Sequence, residues 1–376
     1  MAGLGVGLIG TGFMGKTHAL AWRNVIAAMG GTMGAVAPPR LEVLCDTADR
    51  APAMAAQFGF ARATTDWRAL CADPAVDVVS ITTPNQLHHP IALEALRNGK
   101  HVWCEKPMAL TLAQAEEMAE AAARAGTVTM VGYNYLKNPA VTHAQRLVAA
   151  GTIGRVHQFR GWVDEDYQAD PDLPWTWRAK LSEAGLGALG DIGSHLVSLA
   201  HATVGEIDSL IADIQTVFPT RPLPDGEGRG TVENEDSANV LVRFRSGAQG
   251  SMVISRSAWG RKSRLGFELH GTRGMIIYDQ ERMNELQLYV NEGDRATQGF
   301  RTILTGPAHP PYGEFCPAPG HQLGFNELKV IECAALLRGI AGLEPAAPSF
   351  ADALKIERVI HAIAASARSG GTRVTP

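Results

Sequence analysis

The sequence predicts an α/β protein in two parts: a doubly wound parallel sheet first, then an α+β region with a large, mostly antiparallel sheet. Three observations lead there. Up to residue 134, apolar runs of strand length alternate with helix-period segments, the pattern of parallel strands covered by helices on both faces. A Gly-x-Gly-x-x-Gly run (Gly10, Gly12, Gly15) lies between the first strand and the first helix. Beyond residue 134, strand candidates follow one another with only turns between them.

In chain order, "GVGLIG" reads as a short buried strand and "GKTHALAWRNVIAAMG" as a helix. "RLEVLCD" is a second strand, and "DRAPAMAAQFG" a helix closed by Gly59. "VDVVSITTP" is a strand ending in a polar turn; "NQLHHPIALEALRNG" is a helix stopped at Gly99. "KHVWCEKP" and "TVTMVGYN" are strands on either side of the helix "TLAQAEEMAEAAARAG". The second part begins with the helix "NPAVTHAQRLVAAG" and the strand "GRVHQFRGWV". A loop rich in Asp, Pro and Trp leads to the helix "GDIGSHLVSLAHATVG". Six strand candidates follow, from "EIDSLIADIQTVF" to "NELQLYV". Pro-rich loops then precede two final helices, the last with Ser349 placed to cap it. The expected domains are 1–134 and 135–376, with the C-terminal helices free to pack on either.

A chain of 376 residues, 45% apolar, is long enough for two cores. Its 34 basic and 38 acidic side chains give a net charge of −4, which argues against nucleic acid or an anionic membrane as partner. The five cysteines are scattered and form no CxxC pair, so neither a disulfide framework nor a zinc ribbon is expected. The apolar N-terminal stretch lacks a basic leader and runs into a Gly-rich turn, so it reads as a strand. No apolar stretch is long enough to span a bilayer. The expectation is a cytoplasmic protein.

The glycine run is weak evidence alone, but its strand–helix context raises its value. Gly10 allows the tight turn, Gly12 lets a pyrophosphate approach the backbone, and Gly15 lets helix and strand pack closely. Phe13 and Met14 open the helix, whose N-terminus offers unpaired N–H groups to phosphate. Asp46 ends the second strand, where a carboxylate accepts hydrogen bonds from ribose hydroxyls. It repels a 2′-phosphate, which favours NAD over NADP. Thr47 adjoins it, and Arg50, four residues on, softens that repulsion. Thr83, Pro84, Asn85 and His88 follow a later strand at the same edge and are further candidate cofactor contacts; Asn134 is another.

Lys106 ends a strand at that carboxyl edge, which in open α/β sheets faces the ligand crevice. There its ammonium can hold a substrate oxygen, with Glu105 beside it as a compensating charge. Pro107 fixes the exit of the chain, and X–Pro bonds are the ones that adopt the cis form. In "GALGDIGSHLVSLA", Asp191 and His195 stand at i and i+4, on one helix face. The histidine is suited to general-base work and the carboxylate to orienting a hydroxyl. A capping aspartate with a core histidine, or half of a metal site, are the other readings. No Cys/His cluster accompanies the pair, so no metal is expected.

Together "GTGFMG", "TTPNQLHHPIALEAL", "GKHVWCEKPMALTLAQAEEM", "GYNYLKNPAV" and "GDIGSHLVSLA" resemble the glucose–fructose oxidoreductase / inositol 2-dehydrogenase / rhizopine-catabolism (Gfo/Idh/MocA) family. The resemblance runs from the N-terminus to about residue 205 and is weaker beyond. It implies a Rossmann domain followed by an open-faced sheet domain through which homodimers or homotetramers form. It implies that Lys106, Asp191 and His195 match the family's catalytic lysine, aspartate and histidine, and that the Lys106–Pro107 bond is cis. "DEDYQADPDLPWTWR" and the stretch from Gly299 to Glu332 resemble a subgroup acting on inositols, L-glucose-type aldoses or anhydrosugars such as levoglucosan. On that reading Trp175 or Trp177 covers a sugar face, Arg178 donates to ring hydroxyls, and His321 reaches a pocket in its own or a neighbouring subunit. Domain-interface core is the other reading for the tryptophans, and an ordinary loop residue for His321.

The expectation is an NAD-dependent dehydrogenase oxidising a hydroxyl of a cyclic polyol or sugar. Two alternatives on the same fold are an NAD-dependent glycosidase that oxidises transiently and a non-catalytic NAD-binding regulator.

Overall fold

In the computed structural model, which describes residues 3–376, six short strands form one parallel sheet. They are β1 (Gly5–Ile9), β2 (Arg40–Cys45), β3 (Arg62–Thr64), β4 (Val78–Ile81), β5 (His101–Cys104) and β6 (Thr129–Val131), in the spatial order 3-2-1-4-5-6. Every pairing is parallel. All residues of β1, β4 and β6 are buried, which is why these strands read as unbroken apolar runs. The helices between them are α1 (Phe13–Met29), α2 (Ala51–Phe58), α3 (Trp67–Ala72), α4 (His88–Arg97) and α5 (Leu112–Ala125). Strand order reverses between β1 and β4, the switch point at which such sheets open a crevice beyond their carboxyl ends.

This unit comprises the residues up to Asn134 together with Leu323–Leu354. The second unit comprises Tyr135–Gln322 and Lys355–Pro376. It begins with α6 (Pro139–Ala149), capped by the Asn138 side chain, and β7 (Val156–Asp164). The single turn α7 (Leu181–Ala184) and the helix α8 (Ser194–Thr203) come next. The strands β8 (Ile207–Gln215), β9 (Thr220–Pro222), β10 (Arg229–Thr231), β11 (Ser237–Phe244) and β12 (Gln249–Ser255) follow. Then come β13 (Arg264–Gly271), β14 (Gly274–Asp279), β15 (Glu285–Val290), β16 (Arg301–Leu304) and the turn α9 (Tyr312–Phe315).

Eight of these strands form one sheet in the order 16-15-14-13-7-12-11-8. All its neighbours are antiparallel except β7 and β12. Along β11, Ala238, Val240, Val242 and Phe244 are buried while Asn239, Leu241 and Arg243 are exposed. One face is therefore covered and the other open. The covered side holds Phe159, Phe244, Phe267 and Tyr278 in mutual ring contact. α8 packs on it, with Leu196 lying over Gly161, where any side chain would collide.

The structure adds to or differs from the sequence expectation in several places. The strands β3, β9, β10 and β16 were not anticipated; at three or four residues they are too short to display an alternating pattern. The segment read as one helix from residue 190 is two: a wide π-helical turn, Leu189–Gly193, leads into α8. Such turns insert a residue and recur at functional sites. The two final helices also differ in placement. α10 (Phe325–Ile340) belongs to the first unit and is buried without a break from Leu328 to Leu337. α11 (Phe350–Arg368) is divided at Leu354. Its start is held by Ser349, whose hydroxyl accepts from the Asp352 amide while Asp352 accepts from the Ser349 amide.

Candidate active site

The ends of β1, β2, β4 and β5 are tied together by backbone. Gly10 donates to Cys45 O, Thr82 to Ile9 O, Glu105 to Ile81 O and Gly132 to Cys104 O. The turns that follow these strands therefore share one edge. Gly10 sits at φ +96°, where a side chain is strained, and a Cβ on Gly15 would lie 2.2 Å from Gly10 O. Gly12 faces open space, and no side chain caps the start of α1. Unpaired N–H groups at a helix start beside an open cradle fit a pyrophosphate. Phe13 is 70% exposed and stacks on Phe325 at 5.5 Å; Met14 follows it in the first turn.

Asp46 completes this cradle. Its Oδ2 accepts from the Thr11 amide at 2.7 Å and from the Thr11 hydroxyl, and its Oδ1 from the Thr47 amide at 2.7 Å. Burial pulls its pKa upward, but these hydrogen bonds and Arg50 outweigh it and hold the carboxyl below its usual value. Arg50 donates to Thr11 O at 3.1 Å. The guanidinium so joins the loop that Asp46 braces, and the carboxylate is ionised where a ribose diol would meet it.

Thr83, Pro84 and Asn85 form the turn after β4. His88 is fully buried rather than lining open solvent. Its Nδ1 contacts Pro107 O at 2.8 Å and its Nε2 contacts Thr83 O at 3.0 Å. It fastens the turn after β4 to the turn after β5. His89, by contrast, pairs with Glu117 at 2.8 Å. Lys106 is half-buried, directly after β5, and the Lys106–Pro107 bond is cis.

Glu105, between β5 and Lys106, is buried. Its carboxylate turns into the interior, where Lys329 of α10 donates to Oε1 and His18 of α1 contacts the same oxygen at 2.9 Å. Oε2 accepts from the Lys106 amide at 3.3 Å. Burial pushes the carboxyl upward, yet Lys329 and His18 outweigh that and hold it far below the usual range. Burial also holds the His18 imidazole down at about 4. A neutral His18 facing a carboxylate carries its proton on Nε2, so Nδ1 accepts from the Ser80 hydroxyl at 2.7 Å. Asn134 is also buried, just past β6.

The second unit carries a separate polar group. Asp191 sits in the π turn and accepts from the Tyr167 hydroxyl at 2.6 Å. Burial and then the Asp191 charge push the Tyr167 pKa well above its ordinary value, so this phenol remains a donor. The entry to the turn is fixed by Glu235, whose carboxylate accepts the Leu189 amide at 2.9 Å and whose carbonyl accepts the Ala188 amide. His195 lies in the first turn of α8, 6% exposed, with the Tyr135 ring 4.6 Å from its own.

Of the other candidates, Trp175 lies flat against Gly230 and donates to Thr231 O at 2.8 Å, with Lys180 Nζ 5.0 Å from its ring. Trp177 is half-buried, and the exposed Arg178 folds over it at 4.6 Å. His321 is exposed in a loop, its amide donating to Tyr312 Oη at 3.1 Å. Sequence reasoning passed over Tyr167, although it lies in a stretch already singled out. It also missed His18 and Lys329. A lysine and a glutamate at i and i+3 within a buried helix, Lys329 and Glu332, were the available signal. Among the described residues no group of three or more His, Cys, Asp or Glu stands ready to hold a metal.

The first unit thus offers a phosphate cradle, a carboxylate at the ribose position and a strand-end lysine, and the second a half-buried Tyr167–Asp191 pair and the buried His195, the side chains a nicotinamide-dependent oxidoreductase uses. A family model for an oxidoreductase family with an NAD-binding Rossmann fold matches residues 4–133, and its C-terminal domain model matches residues 141–277. The chain belongs to the GFO/IDH/MocA oxidoreductase family. It is 41% identical to levoglucosan dehydrogenase of Pseudarthrobacter phenanthrenivorans over 98% of this chain and 97% of that one. It is 35% identical to 1,5-anhydro-D-fructose reductase of Ensifer adhaerens over 72% and 74% of the two chains. A solved levoglucosan dehydrogenase in complex with NADH and levoglucosan superposes with a TM-score of 0.94 at 40% identity, covering 99% of both chains.

Proposed function

We propose that this NAD-dependent dehydrogenase oxidises a ring hydroxyl of an anhydrosugar of the levoglucosan type. The observation that carries the reading is the presence of an ammonium, a carboxylate held by a phenol, and an imidazole. Lys106 stands at the sheet's carboxyl edge, and the Tyr167–Asp191 pair and His195 stand at the π turn. The substrate class is supported by the names of the two curated relatives above, both anhydrosugar enzymes.

The cofactor cradle fits NAD. Gly10, Gly12 and Gly15 with the start of α1 would hold the pyrophosphate, and Asp46 the adenosine ribose. The bound dinucleotide supplies the hydride acceptor. His195 takes the proton of the substrate hydroxyl as general base. The Lys106 ammonium donates to the same oxygen and steadies its growing negative charge. Asp191, held by Tyr167, orients the hydroxyl. Trp177 takes the ring face, Arg178 the remaining hydroxyls and His321 the rim. The second unit binds substrate and, through the open sheet face, a second copy.

The test is a panel of levoglucosan, inositols and D- and L-aldoses assayed with NAD and NADP separately. Net NADH accumulation fastest with the anhydrosugar is expected. Turnover of a glycoside without net NADH would replace the dehydrogenase reading with the glycosidase one.

A further inference from the structure

We infer that Lys329 is a positioning residue for the oxidation, acting on Lys106 through the carboxylate of Glu105. The inference rests on the reading of Lys106 as the lysine that touches substrate.

Lys329 is wholly buried and donates to both Glu105 and Glu332, the latter at 2.7 Å. Glu105 in turn accepts the amide of Lys106 itself, so the ion pair ends on the backbone from which the ammonium projects. The site is built to receive it. A Cβ on Gly132 would lie 2.5 Å from Glu105 Oε1 and 2.9 Å from Lys329 Nζ. The Trp103 ring packs on His18 at 3.7 Å and lies 5.4 Å from Lys329 Nζ. Trp22 donates to Ser80 Oγ, Ser80 to His18 and His18 to Glu105, so this chain of donors is also committed.

A buried ion pair is poor value for stability alone, since apolar side chains of similar volume often serve as well. What an apolar replacement cannot do is hold a charge one residue from Lys106. The titratable groups around Glu105 are His18 from α1, Lys329 and Glu332 from α10, His88 from α4, the Cys104 thiol of β5, which donates to Glu105 O at 3.4 Å, and Lys106 on its own turn. β4 and β6 contribute none. The neighbouring thiol of Cys333 is pushed up by burial and stays neutral. Burial lowers both His18 and His88. The charges facing the turn are therefore two carboxylates and one ammonium, and Lys329 limits how strongly Glu105 favours a proton on Lys106.

The experiment uses Glu105→Gln, Lys329→Met and the double variant, with Lys106→Met as the control. The readout is the basic limb of the pH profile of kcat/KM with levoglucosan and NAD, which reports ionisation in the free enzyme. Glu105→Gln removes a negative charge and moves that limb to lower pH by about one unit. Adding Lys329→Met to it removes a positive charge and returns the limb toward the wild-type position. A purely structural role produces no such reversal. Lys329→Met alone leaves two buried carboxylates and is expected to fold poorly, so the double variant decides. Equal basic limbs in wild type, Glu105→Gln and the double, with Lys106→Met inactive, overturn the inference and leave the lysine reading standing. Normal turnover by Lys106→Met overturns the lysine reading itself.

Discussion

Lys106 and Asp191 reach their settings by different routes. Lys106 depends on a strand end and on backbone contacts from Glu105 and His88. Asp191 accepts from the Tyr167 phenol at 2.6 Å within a π turn. Lys106→Ala is expected to lower kcat by about 10²–10³-fold, the usual loss on removing a donor to a developing oxyanion, with NAD affinity unchanged by fluorescence titration. Undiminished kcat would take the lysine out of the reaction. Tyr167→Phe removes a hydrogen bond to a charged group, of the order of 1.5–3 kcal/mol. Steady-state kinetics should show kcat/KM for the sugar falling by roughly tenfold or more, while KM for NAD stays put. An equal loss in both would mean a general loosening of the fold. The lysine, aspartate and histidine could be nominated from sequence because their neighbours form recognisable strings. The Tyr167–Asp191 and Lys329–Glu105 pairs could not, because their members lie 24 and 224 residues apart; only the Lys329–Glu332 pair, three residues apart, leaves a trace in the sequence.

At the scale of elements, periodicity separated the parallel sheet from the antiparallel one because the two bury their strands differently. β1 and β4 are buried on both faces, whereas β11 alternates. The π turn at Leu189–Gly193 was illegible because a single wide turn leaves the apolar spacing almost unchanged. The open face of the second sheet exposes Leu241 (59%) and Val253 (43%) on adjacent strands. Glutamate at both positions is expected to shift an oligomer to monomer in sedimentation velocity. An unchanged sedimentation coefficient would place the contact elsewhere.

The whole molecule is expected to be sensitive to acid through its histidines. Burial holds His18, His201 and His361 each at about 4. His201 Nε2 also lies 3.4 Å from the Ile207 amide as its acceptor, a role that only a neutral ring can fill. These groups are depressed below their unfolded value of about 6.5. Their contribution is thus fully present above that pH, and is lost as pH falls from about 6.5 toward 4. Calorimetry should show Tm dropping across that window and a shallower drop in His201→Gln. A flat Tm would refute the assignment. Among the described residues no helix is long and apolar enough to cross a membrane.

The first unit completes its interior with a lysine 195 residues beyond Asn134, where its first segment ends. During synthesis the N-terminal third leaves the ribosome with the Glu105 carboxylate facing a space that its cation has not yet reached. Covering that space without it costs several kcal/mol. A fragment truncated after Asn134 is therefore expected to emerge loosely structured and prone to capture by chaperones, and to become protease-resistant only when a peptide spanning α10 is supplied in trans.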